Sequence, residues 1–321
     1  MNVVFSLVAV LVLCLLAIFG VHSAGLHFLF GVVIPYVAFC IFIFGMIYRV
    51  LKWAKSPVPF RIPTTCGQQR HAFRFKGKPS FKQSKLDNPA TKLQVLARVA
   101  LEVLFFRSLL RNTRTELTKD KKIVFGPNKW LWLGGLAFHW TMLIVVIRHL
   151  RFFTEPVPRL IVWLQNLDGF LQVGVPGVYI TSLLFVAAVT YLFIRRVLSP
   201  QLRYISLASD YFPLFLLLGI GVTGILLRHF IKTDIVGVKE LTLGLLSFSP
   251  AVPEGLHTLF YIHFFFVCSL FAYFPFSKLV HFTGVFLSPT RNMANNNRML
   301  RHVNPWNYPV KVHTYEEYED D

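Results

Sequence analysis

The chain has 321 residues, of which 55% are hydrophobic, and a formal net charge of +18. A soluble domain of this length does not need so many apolar residues, and here they come in long, nearly uncharged runs. The composition therefore argues against a soluble enzyme and for a protein embedded in the lipid bilayer. The basic excess could indicate nucleic-acid binding, but it collects on one side of the predicted spans, so nucleic acid is not a predicted partner.

Six stretches of the sequence are each long and apolar enough to cross a bilayer, which takes about 20 residues. They lie near residues 2–21, 27–51, 130–152, 175–197, 211–230 and 258–282. A backbone inside hydrocarbon must satisfy its own hydrogen bonds, so these runs are predicted to be helices. The predicted fold is an all-α integral membrane protein, in which spans three to six form a four-helix unit and the first two form an N-terminal helical hairpin.

The same pattern divides the chain into four predicted segments. They are the hairpin at 1–52, a basic loop at 53–128, the four-span unit at 129–288 and a tail at 289–321. Within the loop, the sequence TKLQVLARVALEVLFFRSLLR at 91–111 mixes apolar and basic residues at helical spacing. That spacing predicts an amphipathic helix against the membrane surface or a partner, and a surface helix with no partner is an equal alternative.

The distribution of basic residues predicts the orientation of the spans. An even number of spans puts both termini on one side, together with the 53–128 loop. The opposite side has only six of the 33 Lys and Arg residues, at positions 148, 151, 159, 228, 232 and 239. Because cytoplasmic loops carry the excess of basic residues, both termini and the loop are predicted to lie in the cytoplasm, with the chain in the cytoplasmic membrane.

Four histidines lie within the predicted spans, where a titratable side chain is costly and usually functional. Span three, KWLWLGGLAFHWTMLIVVIRHLRFF, carries His139 and His149, which a helix separates by about 15 Å and about 80°. Span six, YIHFFFVCSLFAYFPFSKLVHF, carries His263 and His281, which a straight helix separates by about 27 Å on one face. Because the two spans run in opposite directions, the predicted pairs are His139 with His281 and His149 with His263.

Neutral imidazole is a common axial ligand of haem iron, so the two pairs predict two b-type haems. Four buried histidines bonded to carbonyls or waters are one alternative. A zinc site is a weaker alternative, because the rings lie at two depths and no cysteine or carboxylate joins them.

The unequal rise of the two helices, about 15 Å against about 27 Å, conflicts with pairing on straight helices. Pro275 lies between His263 and His281, where it removes a helical hydrogen bond and can kink the helix. Gly134, Gly135 and Ala137 come within about one turn before His139. These small residues would either let a flat macrocycle approach the backbone or allow close helix packing.

The histidine spacings, the FPFSKLVH segment and the basic tail resemble the cytochrome b (gamma) subunits of respiratory nitrate reductases, over residues 130–300. The whole chain resembles the DsrM family more closely, the membrane cytochromes of the sulfite-reduction-associated DsrMKJOP complexes. That resemblance rests on KWLWLGGLAFHW, RHLRFFTEPVPRL and HFIKTDIVGVKEL, with the added hairpin and long basic loop. The membrane subunit of heterodisulfide reductase is a less close match.

This resemblance implies an electron-transfer subunit of a membrane oxidoreductase complex. Such subunits exchange electrons with a quinone pool, here menaquinone, and pass them to or from a cytoplasmic iron–sulfur subunit. In the DsrM family that partner is DsrK-like and resembles the catalytic subunit of heterodisulfide reductase, in dissimilatory sulfur metabolism. By position, His139 and His281 would hold the haem nearest this partner, and His149 and His263 the distal haem.

The resemblance also implies a quinol site beside the distal haem, with a lysine in the connection after the ligand-bearing helix. This chain has no lysine between Arg151 and Arg195, and Arg159 is the candidate substitute. Arg148 and Arg151 flank the distal ligand and are candidate contacts for haem propionates or a quinone oxygen. Anchoring of these arginines at the membrane interface is an equal alternative.

Two other functions compete with electron transfer. A membrane anchor without redox function would dock a soluble enzyme, and its histidines would be structural. A transporter or channel is disfavoured, because a pathway through the membrane needs charges and the interiors of all six runs contain no Asp, Glu, Lys or Arg.

Overall fold

The computed structural model describes most of the chain outside the basic loop and the tail. The described residues are 1–56, 74–75, 78–79, 85–87, 89, 91–111, 114–117, 123–288, 292 and 294. Nearly all of the predicted tail at 289–321 and much of the predicted loop at 53–128 therefore lie outside the described residues.

The described part of the chain is almost entirely helical. Its α-helices are α1 (Asn2–Ile18), α2 (Ile34–Ala54), α3 (Lys92–Phe105), α4 (Arg107–Leu110), α5 (Lys129–His149), α6 (Arg159–Phe170), α7 (Ile180–Leu198), α8 (Pro200–Ile205), α9 (Ala208–Ile225), α10 (Ile235–Leu246), α11 (Thr258–Tyr273) and α12 (His281–Leu287). Short π-helical segments lie at Phe19–Ser23, Leu29–Val33 and Leu226–Ile231, and 3-10 turns at Leu150–Phe152, Phe274–Phe276 and Lys278–Val280.

Three short antiparallel hairpins complete the secondary structure of the described residues. They pair β1 (Arg74–Phe75) with β2 (Lys78–Pro79), β3 (Arg114–Leu117) with β4 (Ile123–Gly126), and β5 (Gln172–Val173) with β6 (Val178–Tyr179).

Six helical segments of the described chain are long and apolar enough to cross a membrane, which confirms the all-α integral membrane class. They are Asn2–Ser23, Leu29–Ala54, Lys129–Phe152, Ile180–Leu198, Ala208–Ile231 and Thr258–Phe276. The bounds agree with the predicted spans within a few residues. The exceptions are the fourth span, which begins later than predicted, and the sixth, which ends earlier.

The chain divides into two compact units. One contains Met1–Leu51 and Phe106–His281, and so holds all four paired histidines. In this unit α1 packs against α9 and α11, and α7 packs against α5 and α9.

Contacts between the spans show which of their ends lie together. The starts of the first and fifth spans meet at Ser6 and Ala208, and Asp210 contacts Lys278 after the sixth span, on the side here called the basic side. The end of the third span meets the start of the fourth at Arg148 and Thr181, and Arg228 of the fifth span contacts Tyr179, on the opposite side.

The other unit contains Lys52–Phe105 and 282–321. Its α3 covers most of the amphipathic helix predicted at 91–111. That helix is not continuous, because Phe106 takes a left-handed conformation, with a φ of 49°, and separates α3 from α4.

The first helix is fixed to the start of α9 on the basic side. Ser6 is fully buried, and its hydroxyl lies 2.8 Å from the carbonyl oxygen of Asn2 and 2.9 Å from that of Ala208. The side chain of Asn2 donates to the carbonyl oxygen of Ser206 at 3.0 Å. The N-terminal hairpin is therefore hydrogen-bonded to the helices that surround the histidines.

The last span is interrupted after Tyr273. Pro275 has no N–H and its ring clashes with the preceding turn, so α11 tightens into the 3-10 turn at Phe274–Phe276. Ser277 then takes an extended conformation, and its hydroxyl accepts from the N–H of Leu279 at 3.1 Å to begin the next turn. His281 thus follows a break, and the continuous helix used to calculate a rise of about 27 Å is wrong beyond Tyr273.

This break packs against α2 at a position that has no room for a side chain. A Cβ atom at Gly45 would lie 2.7 Å from the Cβ of Pro275 and 2.8 Å from its Cγ. Real Cβ atoms do not approach so closely, so only glycine allows this contact between α2 and the break.

We expect Gly45→Ala to lower the free energy of unfolding by up to about 2 kcal/mol. Crowding of Pro275 costs about 1–3 kcal/mol, and the higher helix propensity of alanine offsets about 1 kcal/mol of that cost. The melting temperature in detergent measures this change. Gly169→Ala in α6 is the matched control, because its nearest neighbour would lie at an ordinary 3.7 Å. A Gly45→Ala variant that melts no lower than Gly169→Ala would contradict the prediction.

Candidate paired-histidine site

Helix α5 holds two of the four histidines. It begins after Asn128, whose side-chain oxygen accepts from the N–H of Leu131 at 3.1 Å and caps the helix. Of its two glycines, Gly134 would bring a Cβ atom within 2.6 Å of the Tyr191 ring, and Gly135 within 3.1 Å of Leu109. These glycines serve close packing against α7 and α4, which is the second of the two roles expected for them.

On the basic side, the ring of His139 meets the ring of His281. The ring centres are 5.9 Å apart and the ring planes are nearly perpendicular, at 85°. The ring of Phe106 lies 4.8 Å from that of His139, so an aromatic side chain flanks the pair.

On the opposite side, the ring of His149 meets the ring of His263. Their centres are 6.4 Å apart and their planes nearly parallel, at 20°. The structure therefore brings the four histidines together in the pairs that the antiparallel order of the spans indicates.

Both distances between ring centres suit two imidazoles that bind one metal ion from opposite sides. With metal–nitrogen bonds of about 2.0 Å and a ring radius of about 1.1 Å, the two ring centres would be about 6.2 Å apart. The observed 5.9 Å and 6.4 Å lie on either side of that value.

Three of the rings are oriented by backbone carbonyl oxygens. The Nδ1 atoms of these rings donate to the carbonyl oxygens of Gly135 (from His139, 2.7 Å), Val145 (from His149, 2.7 Å) and Lys278 (from His281, 3.0 Å). A carbonyl oxygen only accepts, so each neutral ring carries its proton on Nδ1. The lone pair for a metal is then on Nε2, as in metal sites whose histidines are held by a second hydrogen bond.

The fourth ring is held by a hydroxyl group from another helix. The hydroxyl of Thr223 in α9 donates to the carbonyl oxygen of Gly219 at 2.6 Å, so its oxygen is free to accept from Nδ1 of His263 at 2.9 Å. Beside it, a Cβ atom at Gly224 would lie 3.3 Å from Cε1 of His263. The close approach of α9 therefore fixes this ring.

The donor set fits haem iron better than zinc. Haem iron takes its other four ligands from the macrocycle and needs only two axial ligands, which is what each pair supplies. A structural zinc ion takes four protein ligands, and no group of three or more His, Cys, Asp or Glu side chains gathers as a metal site in the described part of the chain.

A polar cluster lies beside the second pair, on the opposite side. Arg148, next to His149 in sequence, forms an ion pair with Asp168 of α6. The hydroxyl of Thr181 donates to Asp168 at 2.5 Å and accepts from Arg148 at 3.1 Å. The guanidinium of Arg148 also lies 4.6 Å from the centre of the Tyr179 ring. Arg148 is a candidate contact for haem propionates or a quinone oxygen, and its positive charge is therefore balanced by a carboxylate of the protein.

The other two candidate arginines have different surroundings. Arg151 donates to the side chain of Gln165 and lies 5.9 Å from the centre of the Phe152 ring. Arg159 is exposed at the first position of α6.

The sequence pattern indicated no role for Tyr179 or Asp168 in this region. It placed Arg228 only among the basic residues of the opposite side, and His229 at a helix end as a lesser ligand candidate. Arg228 donates to the hydroxyl of Tyr179 at 3.1 Å, and the buried ring of His229 packs edge-on against Tyr179 at 4.9 Å. Asp168 is 4% exposed, although it lies in a connection between spans. One feature of the sequence could have identified it: Asp168 is the only acidic residue between Glu155 and Asp210.

Comparisons with known proteins identify the family of the chain. Residues 94–302 match the nitrate reductase gamma subunit family. The chain belongs to that family. It is 45% identical over 282 residues to the Hdr-like menaquinol oxidoreductase cytochrome b-like subunit of Archaeoglobus fulgidus, covering 87% of this chain and 83% of that protein. It is 47% identical over 277 residues to the protein of the same name from Archaeoglobus profundus, covering 85% and 81%.

The hydrogen bond from His263 to Thr223 generates a prediction for this member of the nitrate reductase gamma subunit family. Thr223→Val removes the acceptor, so the ring becomes a weaker donor to a metal. For a metal centre held by the His149–His263 pair, we expect the affinity to fall by about 10- to 100-fold and the midpoint potential to rise. Cofactor content and a redox titration measure both effects.

Thr141→Val is the matched control for this prediction. Thr141 is also buried within a span, and its hydroxyl bonds the carbonyl oxygens of Ala137 and Phe138 in its own helix. Equal effects of the two substitutions would show that the bond to His263 has no special role.

Proposed function

We propose that this chain is a membrane cytochrome with two b-type haems that transfers electrons between the menaquinone pool and a cytoplasmic iron–sulfur subunit. The observation that carries this proposal is the presence of two imidazole pairs at two depths of the spans, with ring centres about as far apart as two ligands of one metal ion require. His139 and His281 would hold one haem, and His149 and His263 the other.

The residues of the chain would orient and shield these centres. Haem supplies reversible one-electron redox chemistry when it is bound. The hydrogen bonds at Nδ1 fix each ring and make its Nε2 a stronger donor. Along α5 the two histidines are separated by a rise of about 15 Å, so the pairs would form two steps of one path across the bilayer.

The proposed electron donor or acceptor on the opposite side is menaquinone. The names of the two Archaeoglobus relatives, menaquinol oxidoreductase subunits, support this choice. Contacts of Arg148, Arg151 and Arg159 with a quinone oxygen or haem propionates belong to the same proposal. Because Arg148 is already paired with Asp168, we expect it to act mainly through position.

The proposed setting is a complex of the DsrMKJOP type in dissimilatory sulfur metabolism. The basic side would face the cytoplasm with both termini, as the charge distribution predicts. There the chain would meet a DsrK-like iron–sulfur subunit that resembles the heterodisulfide reductase catalytic subunit, together with other subunits of the complex. The term Hdr-like in the relatives' names supports a partner of this kind. A nitrate reductase or heterodisulfide reductase complex is the alternative setting.

A membrane anchor without redox function is the competing proposal. The visible spectrum of the purified protein separates the two. Reduction by dithionite should produce the sharp bands of b-type haem in the cytochrome, whereas an anchor would show none.

The pairing predicts the haem content of histidine variants. Replacing either His139 or His281 with alanine should remove the same haem and leave the other, because each iron would lose one of its two protein ligands. Replacing His149 or His263 should remove the second haem. The pyridine haemochrome assay should then fall from two haems per chain to about one in every variant.

His27→Ala is the control for this series, since His27 is exposed and lies in the connection between the first two spans. Loss of one common haem in His139→Ala and His263→Ala would refute the assigned pairs.

The different ring angles of the pairs predict two distinct ferric haem signals in electron paramagnetic resonance. Perpendicular imidazole planes bond to different iron d orbitals and leave them nearly equal in energy, which gives a strongly anisotropic low-spin signal. Parallel planes split those orbitals and give a rhombic signal. We expect His139→Ala to remove the strongly anisotropic signal and His149→Ala the rhombic one. Two identical signals in the wild-type protein would contradict the observed ring geometry.

A further inference from the structure

Each histidine pair has one member near a cation that a buried aspartate holds. On the opposite side, the aspartate is Asp168, whose side chain is 3% exposed and which pairs with Arg148. Both of its oxygens are engaged by Thr181, through the backbone N–H at 3.3 Å and the hydroxyl at 2.5 Å. His149 directly follows Arg148 and is the last residue of α5.

On the basic side, the aspartate is Asp210 in the first turn of α9. Its side chain is 6% exposed, and one oxygen lies 2.6 Å from the ammonium group of Lys278, whose own side chain is 76% exposed. Its other oxygen accepts from the N–H of Leu207 at 3.0 Å, and Arg196 lies 3.9 Å away. The carbonyl oxygen of Lys278 is the acceptor for Nδ1 of His281.

The two arrangements have the same components in the same order: an aspartate, a cation and a paired histidine. Both aspartates belong to helices that carry none of the four paired histidines, α6 and α9, and both hold a cation on the segment that carries a paired histidine. Both of those histidines lie beside an irregular stretch of backbone. His149 is the last α-helical residue before the 3-10 turn at Leu150–Phe152, and His281 follows the 3-10 turn that comes after the break at Pro275.

We propose that Asp168 and Asp210 are positioning residues for the two metal centres. Asp168 acts through Arg148 on His149, and Asp210 acts through Lys278 on His281. A buried carboxylate is costly unless it is paired and hydrogen-bonded, so each aspartate has one strongly preferred arrangement and fixes its cation there. The inference rests on the proposed function only in taking the four histidines as haem ligands.

The test uses Asp168→Asn and Asp210→Asn in the haem-loaded complex, with electron paramagnetic resonance and redox titration of each haem. Asp168→Asn should alter the rhombic signal and the potential of the His149–His263 haem alone. Asp210→Asn should alter the strongly anisotropic signal and the potential of the His139–His281 haem alone. We expect at least a tenfold change in the reduction equilibrium of the affected haem, equivalent to 59 mV for one electron.

Glu155→Gln is the control, because it breaks the ion pair of Glu155 with Lys239 on an exposed surface. It should leave both signals and both potentials unchanged.

Two further variants separate positioning from a simple effect of charge. Thr181→Val removes the hydroxyl that joins Arg148 to Asp168 without changing any charge, and it should still alter the rhombic signal. Lys278→Arg keeps the cation and should retain the native anisotropic signal, whereas Lys278→Met should reproduce the effect of Asp210→Asn. If an aspartate variant fails to assemble, these variants carry the test for its side of the protein.

Three outcomes would overturn the proposal. In the first, the aspartate variants shift both potentials while both signals keep their native shape. In the second, each aspartate variant alters both haems equally. In the third, Thr181→Val and Lys278→Met leave the signals unchanged. A wild-type protein without haem would instead refute the proposed function, so the two failures are distinguishable.

Discussion

The last span is interrupted at Pro275, between the two paired histidines that it carries. On two straight helices, one interval of ten residues and another of eighteen rise by about 15 Å and about 27 Å, and such different rises do not align two pairs at once. The missing N–H of Pro275 ends α11, and the extended Ser277 redirects the chain before His281. Gly45 supplies the space in which this break packs against α2. A single irregular segment of backbone therefore separates the helix that carries His263 from the helix that begins at His281.

The charges of the described spans complement this constraint. They lie near the ends of the helices, where water can reach part of each side chain, and the two buried carboxylates link helices that carry paired histidines to helices that do not. Asp168 joins α6 to α5, and Asp210 joins α9 to the turn before His281. The apolar middle of the protein then needs no charged group, and the ion pairs at each end determine how the helices meet.

The sequence was sufficient for the spans and for the order in which the histidines meet. Span length follows from bilayer thickness, and alternating spans must run in opposite directions, so His139 faces His281 without any knowledge of packing. The break was only partly predictable. Pro275 indicated a kink, but the extended conformation of Ser277 depends on a local hydrogen bond to Leu279.

Long-range partners could not be read from the sequence. The contact between Arg148 and Asp168 depends on how α6 folds back after α5, and the sequence of that connection does not specify its path. For the same reason Gly134 and Gly135 had two equally good interpretations. Only the positions of Tyr191 and Leu109 decide in favour of helix packing.

The hydrogen bonds of the α5 histidines have a mechanical consequence. His139 and His149 each donate to a carbonyl oxygen four residues earlier in their own helix, so both rings are attached to α5 itself. Any rotation of α5 about its axis turns both rings through the same angle, at two depths about 15 Å apart. Helix α9 contacts the two pairs through different residues: Thr223 accepts from His263, and Asp210 holds Lys278, whose carbonyl oxygen accepts from His281. Rotation of α5 therefore turns one ring of each pair directly, whereas movement of α9 reaches the other ring of each pair through a hydrogen bond or an ion pair.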